Sequence, residues 1–75
     1  MTSLAKLAVG SRARVLAIRD ADEVSMRLLE MGVTPGVEIT VVGCAPLGDP
    51  LELELRGYHL SIRKCEAERV DVERV

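Results

Sequence analysis

The sequence has no apolar run of the length a membrane helix requires. Its uninterrupted apolar stretches are only a few residues long, against the ~20 needed to span a bilayer, so no direct membrane insertion is expected. It also lacks a basic stripe. Ten Lys and Arg are balanced by twelve Asp and Glu, for a formal charge of −2, and no cluster of cations is long enough to neutralise successive phosphates. Nucleic acid is therefore not expected as a partner. The opening Met1-Thr2-Ser3-Leu4-Ala5-Lys6 lacks the charged and then apolar blocks of a signal peptide, which makes the cytoplasm the expected compartment. The usual catalytic signatures are missing as well: no G-x-x-x-x-G-K-[ST], G-x-G-x-x-G, H-E-x-x-H or G-x-S-x-G occurs, so no catalytic residue is assigned and the chain is not expected to be an enzyme.

What remains suits one small folded unit. Seventy-five residues are enough for one core and too few for two, so residues 1–75 are expected to form a single domain. Apolar residues make up 48 % and charged residues 29 % of the chain, a balance that permits a packed core and argues against disorder. The sequence shows no internal repeat, low-complexity tract or linker. The two cysteines, Cys44 and Cys65, match neither a C-x-x-C motif nor a zinc framework, and in a reducing compartment they are expected as free thiols.

The order of elements follows from periodicity. Thr2 and Ser3 can cap a short helical turn through Leu4 and Leu7. From Ser11 to Arg19 the chain alternates as a first strand. Asp20, with Glu23 three residues on, reads as a capped helix start. Ala21, Val24, Leu28 and Met31 then recur on one helical face, and Gly32 can end the helix in the left-handed conformation. Thr34-Pro35-Gly36 predicts a tight turn. Val37, Ile39 and Val41 alternate with Glu38 and Thr40 as the next strand. Ala45-Pro46-Leu47-Gly48-Asp49-Pro50 must leave the ladder as a loop. The clearest strand is Leu51, Leu53 and Leu55 against Glu52, Glu54 and Arg56. A turn at Gly57 leads to Tyr58, Leu60 and Ile62, a turn through 64–68 follows, and Val70 and Val72 predict a last short strand. Val15, Val41 and Leu53 are expected in the core. The fold class is thus mainly β. A small SH3-like β-barrel of about five strands, with one helix inserted after the first strand, hides the strand edges economically.

Few residues carry chemistry. His59 shares a face with Ser61 and Arg63, which predicts a surface histidine. Glu52 and Glu54 share the solvent face of their strand. Cys44, His59 and Cys65 are the soft donors that could take a divalent transition metal such as Fe2+, but their spacing matches no ligand motif, and half-buried cysteines are ordinary core residues. Leu47 lies in a segment that cannot pair as strand and so runs over the surface. With Gly48, Asp49 and the helix end around Arg27 and Met31 it forms a candidate partner surface, an apolar knob beside a charge. The alternative is that Leu47 folds back to plug the barrel end.

Two stretches carry a resemblance to a known family. Arg27-Leu28-Leu29-Glu30-Met31-Gly32-Val33-Thr34-Pro35-Gly36 resembles the helix-then-turn hallmark of FeoA domains. Ala45-Pro46-Leu47-Gly48-Asp49-Pro50, continuing through Gly57-Tyr58 to Leu60-Ser61-Ile62-Arg63-Lys64 and Glu66-Ala67, is similar to the other hallmark of the family. They occur in the family's order and spacing, and together they cover nearly the whole chain. The resemblance implies an SH3-like barrel that acts in ferrous-iron uptake with FeoB, a large membrane permease with a cytosolic GTP-binding part, and it implies no catalytic residue. Two functions fit it. In one the protein docks on the permease and modulates its GTPase or its transport. In the other it senses or delivers divalent iron itself.

Overall fold

The alternating leucines at 51–55 lie in the hydrophobic core. In a computed structural model, which describes residues 2–75, Leu51, Leu53 and Leu55 are buried while Glu52 and Glu54 face solvent, as a strand half-buried on one face requires. The chain runs β1 (Thr2–Ser3), a 3-10 turn (Leu4–Lys6), β2 (Arg12–Ile18), α1 (Glu23–Glu30), β3 (Glu38–Cys44), β4 (Leu51–Leu55), β5 (Tyr58–Ile62), α2 (Lys64–Ala67) and β6 (Val70–Arg74). Val15, Val41 and Leu53 are all in the core, as the alternation predicts.

The strands form one six-stranded sheet in the order β1-β6-β2-β3-β4-β5, and every neighbouring pair is antiparallel. This corrects the sequence reading in three respects. There are six strands where about five were expected, because Thr2 and Ser3 add a short strand against Val72 and Asp71. As a result, α1 follows the second strand and not the first. The outer strands β1 and β5 also do not pair with each other among the described residues, so the sheet is curled but not closed. Side chains fill the gap instead of a ladder. The 3-10 turn packs against α2, and Leu4 of the turn and Ala67 of α2 are both fully buried.

Two irregularities set which residues escape burial. The pairing of β2 with β6 shifts between Val15 and Ala17, and that of β3 with β4 shifts between Val41 and Gly43. A bulge breaks the two-residue period. Leu16 and Val42, at the shifts, are left partly exposed. The alternation of β5 also weakens toward its start: Ile62 is buried, Leu60 half-buried and Tyr58 exposed.

The helix begins two residues later than the Asp20–Glu23 spacing suggests. Asp22 is the N-cap, its carboxylate accepting the Ser25 backbone N–H at 3.1 Å. Asp20 instead takes a left-handed conformation, φ 64°, and turns the chain into the helix. Ser25 explains why. Its hydroxyl donates to the carbonyls of Arg19, at 3.0 Å, and Asp20, so the corner is closed before the helix starts. Within the described helix face, Leu28 is buried and Val24 and Met31 half-buried, whereas Ala21 lies before the helix and is exposed. At the far end Gly32 has φ 100°, and the Val37 N–H bonds to the Thr34 carbonyl at 3.1 Å across the Pro35-Gly36 turn, both as predicted.

Two measurements test this packing and its electrostatics. Leu53 is fully buried, so Leu53→Ala should lower stability by about 2–5 kcal/mol in denaturant unfolding; a loss under about 1 kcal/mol would mean that the side chain faces solvent. The second concerns Asp22. Its hydrogen bond from Arg69, and then that from the Ser25 N–H, hold its carboxyl below the ordinary value, while Arg69 is raised in turn by Asp22. Because the folded value lies below the unfolded one, the stability Asp22 contributes is present above the unfolded pKa and is lost as pH falls through the folded one. Asn caps a helix about as well as Asp, so Asp22→Asn removes the charge and keeps the cap. The stability gap between wild type and Asp22→Asn should shrink as pH falls below about 4. A gap that stays constant with pH would disprove the charge linkage.

Candidate functional site

The helix end and the 45–50 loop meet at one cleft. Arg27 and Met31 lie four apart on α1 and so on one face, and with Pro50, Ser61, Ile62, Arg63 and Glu66 they line a cavity of about 350 Å³. Three hydrogen bonds hold α1 and the turn after it beside β5, the turn that precedes it, and α2. The Tyr58 hydroxyl donates to the Met31 carbonyl, the Arg56 guanidinium reaches the Thr34 hydroxyl at 3.1 Å, and Arg27 pairs with the Glu66 carboxylate. Gly32 permits this approach, because a Cβ there would run into the Tyr58 hydroxyl.

Glu66 is the residue that ties the cleft together, and it was not among the residues singled out from sequence. Its side chain is only 10 % exposed. One carboxylate oxygen takes Arg27 and the other accepts the Arg63 backbone N–H at 2.9 Å. A buried carboxylate needs such partners. Only half of the usual signal was present: Glu66 stands three residues after Arg63, where a capping box puts its acid, but a guanidinium only donates and cannot supply the other half. With no Ser, Thr, Asp or Asn at the cap, 64–68 read as a plain turn.

The loop residues are placed as follows. The Gly48 N–H bonds to the Ala45 carbonyl at 2.7 Å and the Ala45 N–H to the Pro50 carbonyl at 3.0 Å, which folds 45–50 into a tight excursion with Gly48 at φ 84°. Leu47 is at its tip and 96 % exposed, so it does not plug the barrel end. The Asp49-Pro50 peptide is cis, and the Asp49 carboxylate accepts the Lys64 backbone N–H at 2.9 Å. Pro50 lines the cleft, so the loop leads from the exposed leucine to the Arg27 and Met31 wall.

None of the three metal candidates lines the cleft. Cys44, at the end of β3, and Cys65, in α2, are exposed free thiols. His59 is exposed on β5, its Nε2 at 3.6 Å from the Glu54 carboxylate across the β4–β5 ladder. Among the described residues, no group of three or more His, Cys, Asp or Glu side chains is close enough to hold a metal ion. Nor is any helix among them long and apolar enough to cross a membrane.

Three relatives bear on this geometry. The chain is 37 % identical over 70 residues, 93 % of its length, to the Fe(2+) transport protein A/Fe(2+) transporter FeoB fusion protein of Porphyromonas gingivalis, and it spans only 8 % of that protein. It superposes with a TM-score of 0.93 and 39 % identity on the solution structure of a FeoA-like protein from Clostridium acetobutylicum, covering 99 % of this chain and 86 % of that one. It matches the crystal structure of Stenotrophomonas maltophilia FeoA complexed with zinc with a TM-score of 0.86 and 30 % identity, over 97 % of this chain and 91 % of that one. The latter is described as a prokaryotic SH3 domain protein and a candidate ferrous iron transport activating factor. The FeoA domain profile matches residues 2–74, and with these relatives it establishes that the chain belongs to the FeoA domain family.

Proposed function

We propose that residues 1–75 act as one accessory domain of ferrous-iron uptake that docks on the cytosolic part of a FeoB-like permease and modulates its GTPase or its transport. The observation that carries this reading is the Porphyromonas gingivalis relative, in which the matching segment belongs to the same polypeptide as the FeoB transporter. Covalent fusion raises the effective concentration of a module at its partner. It is most useful where the two act together.

The docking surface in this proposal is the exposed Leu47 knob, the adjoining Gly48 and Asp49, and the cleft wall of Arg27 and Met31. A leucine 96 % exposed at a loop tip gains by being covered, and the bonds of Ala45, Gly48 and Asp49 already hold the loop in shape. Binding therefore does not have to order it. A site facing the permease's GTP-binding part places the domain in the cytoplasm.

A second reading, that the protein binds divalent iron itself, is favoured by the zinc complex of the Stenotrophomonas maltophilia relative. Its donors here would be Cys44, His59 and Cys65, which stand on β3, β5 and α2 without forming a ligand cluster. No cofactor is assigned on this basis.

Both readings are testable with the isolated protein. Adding the permease's cytosolic domain to labelled protein should shift the amides of Leu47, Gly48, Asp49, Arg27 and Met31. Leu47→Ala should leave the fold intact and weaken binding by about 1–2 kcal/mol, about fivefold to thirtyfold in Kd. Shifts confined to the opposite face would remove this surface from consideration. Ferrous titration should show no stoichiometric submicromolar site; such a site, lost in a Cys44→Ser, Cys65→Ser variant, would promote the metal reading.

A further inference from the structure

The cleft has a charge pattern that selects its occupant. Arg27 and Arg63 line it with Glu66 as the sole acid, so it carries an excess of one positive charge in a chain whose formal charge is −2. Glu66 does not quench both arginines. Its carboxylate reaches the guanidinium of Arg27 but only the backbone N–H of Arg63, and among the described residues the Arg63 guanidinium has no carboxylate partner. Arg27 itself remains 59 % exposed while pinned from beneath by a nearly buried acid. A guanidinium carries five N–H donors, so a single carboxylate leaves most of them available and fixes the direction in which they point.

The shape of the cleft limits the occupant further. A cavity of about 350 Å³ accepts side chains but not a helix, whose diameter is about 10 Å. One wall is the end of β5, the outer strand of the sheet, whose far edge has no strand partner. The other is Arg27 and Met31 of α1, with Pro50 at the loop end. Met31, Pro50 and Ile62 offer apolar contact next to the two cations.

We propose that this cleft receives an acidic side chain carried on an extended segment of the partner protein, with an apolar neighbour resting on Met31 and Pro50. The inference rests on the docking reading above and names the chemistry the partner must supply there. Arg63 is the recognising cation and Arg27 is its oriented companion, held by Glu66. The Leu47 knob lies outside the cleft, so the two contacts are separable.

The test uses the whole chain and a defined probe. A short peptide with a single Asp among Val and Ser residues, and its Asp→Asn counterpart, are titrated into labelled protein at low and high salt. The acidic peptide should shift the amides of Arg27, Met31 and residues 61–66, weaken as salt rises, and bind about tenfold or more tightly than the Asn peptide. Arg63→Glu, at an exposed position whose side chain holds no carboxylate, should keep the fold and abolish the preference. Equal binding of the two peptides, shifts elsewhere, or full binding by Arg63→Glu would overturn the assignment. The permease's cytosolic domain separates this inference from the one beneath it. If that domain binds and tolerates Arg63→Glu, docking stands and the cleft assignment falls; if it does not bind while the acidic peptide still does, the cleft stands and the docking reading falls.

Discussion

The approach of Gly32 to Tyr58 is the contact on which the arrangement of this molecule depends. A helix that leaves a sheet after its second strand must be brought back to it, and here the return is made where the chain has no side chain. With φ 100° and no Cβ, Gly32 lets the Tyr58 ring lie against the backbone and its hydroxyl reach the Met31 carbonyl. That bond satisfies one of the carbonyls that every helix end leaves open. It also sets the spacing between α1 and β5. The cleft, the pairing of Arg27 with Glu66 and the position of Met31 all follow from that spacing. Any side chain at 32 would force the ring away and would pay the left-handed conformation as well.

A sheet that is left open must be sealed by something other than hydrogen bonds, and this chain uses its two shortest helical pieces. Leu4 and Ala67 come from a three-residue turn and a four-residue helix, and both are fully buried. A core of this size gives a small margin of stability. Polar contacts at its rim therefore matter more than their modest individual strengths suggest. The Asp22–Arg69 pair joins the start of α1 to the segment before β6, and Arg14 bridges Glu38 and Glu73 across three neighbouring strands.

Most of the fold was legible because the strands of a half-buried sheet record burial every second residue. Leu51, Leu53 and Leu55, or Val37, Ile39 and Val41, leave little choice of face. The Gly32 and Pro35-Gly36 turns were legible for a different reason, since positive φ is written in glycine. What was not legible came from contacts distant in sequence. Two residues at 2–3 are a strand only because β6 lies beside them. The helix start moved to Asp22 because Ser25 bonds back to Arg19 and Asp20, a choice no capping pattern ranks. In the candidate site, Arg27 and Met31 could be picked from the helix face, but Glu66 and Arg63 enter only through the pairing of Arg27 with Glu66 across 39 residues of chain. The exposure of Leu47 likewise depended on whether the loop turned outward or in, and its local chemistry allows both.

The unpaired outer edge of β5 bears on how copies of this protein behave together. Bare strand edges template the addition of further strands, and Tyr58–Ile62 is such an edge, five residues long. Two copies laid edge to edge in antiparallel fashion across its full length would centre on Leu60. That register would bring Arg56, in the turn before the strand, toward Lys64, in α2 after it, at both ends of the pairing. Like charges brought together beside a ladder oppose it, so this edge is guarded against its own copy by cations that are not on the strand at all.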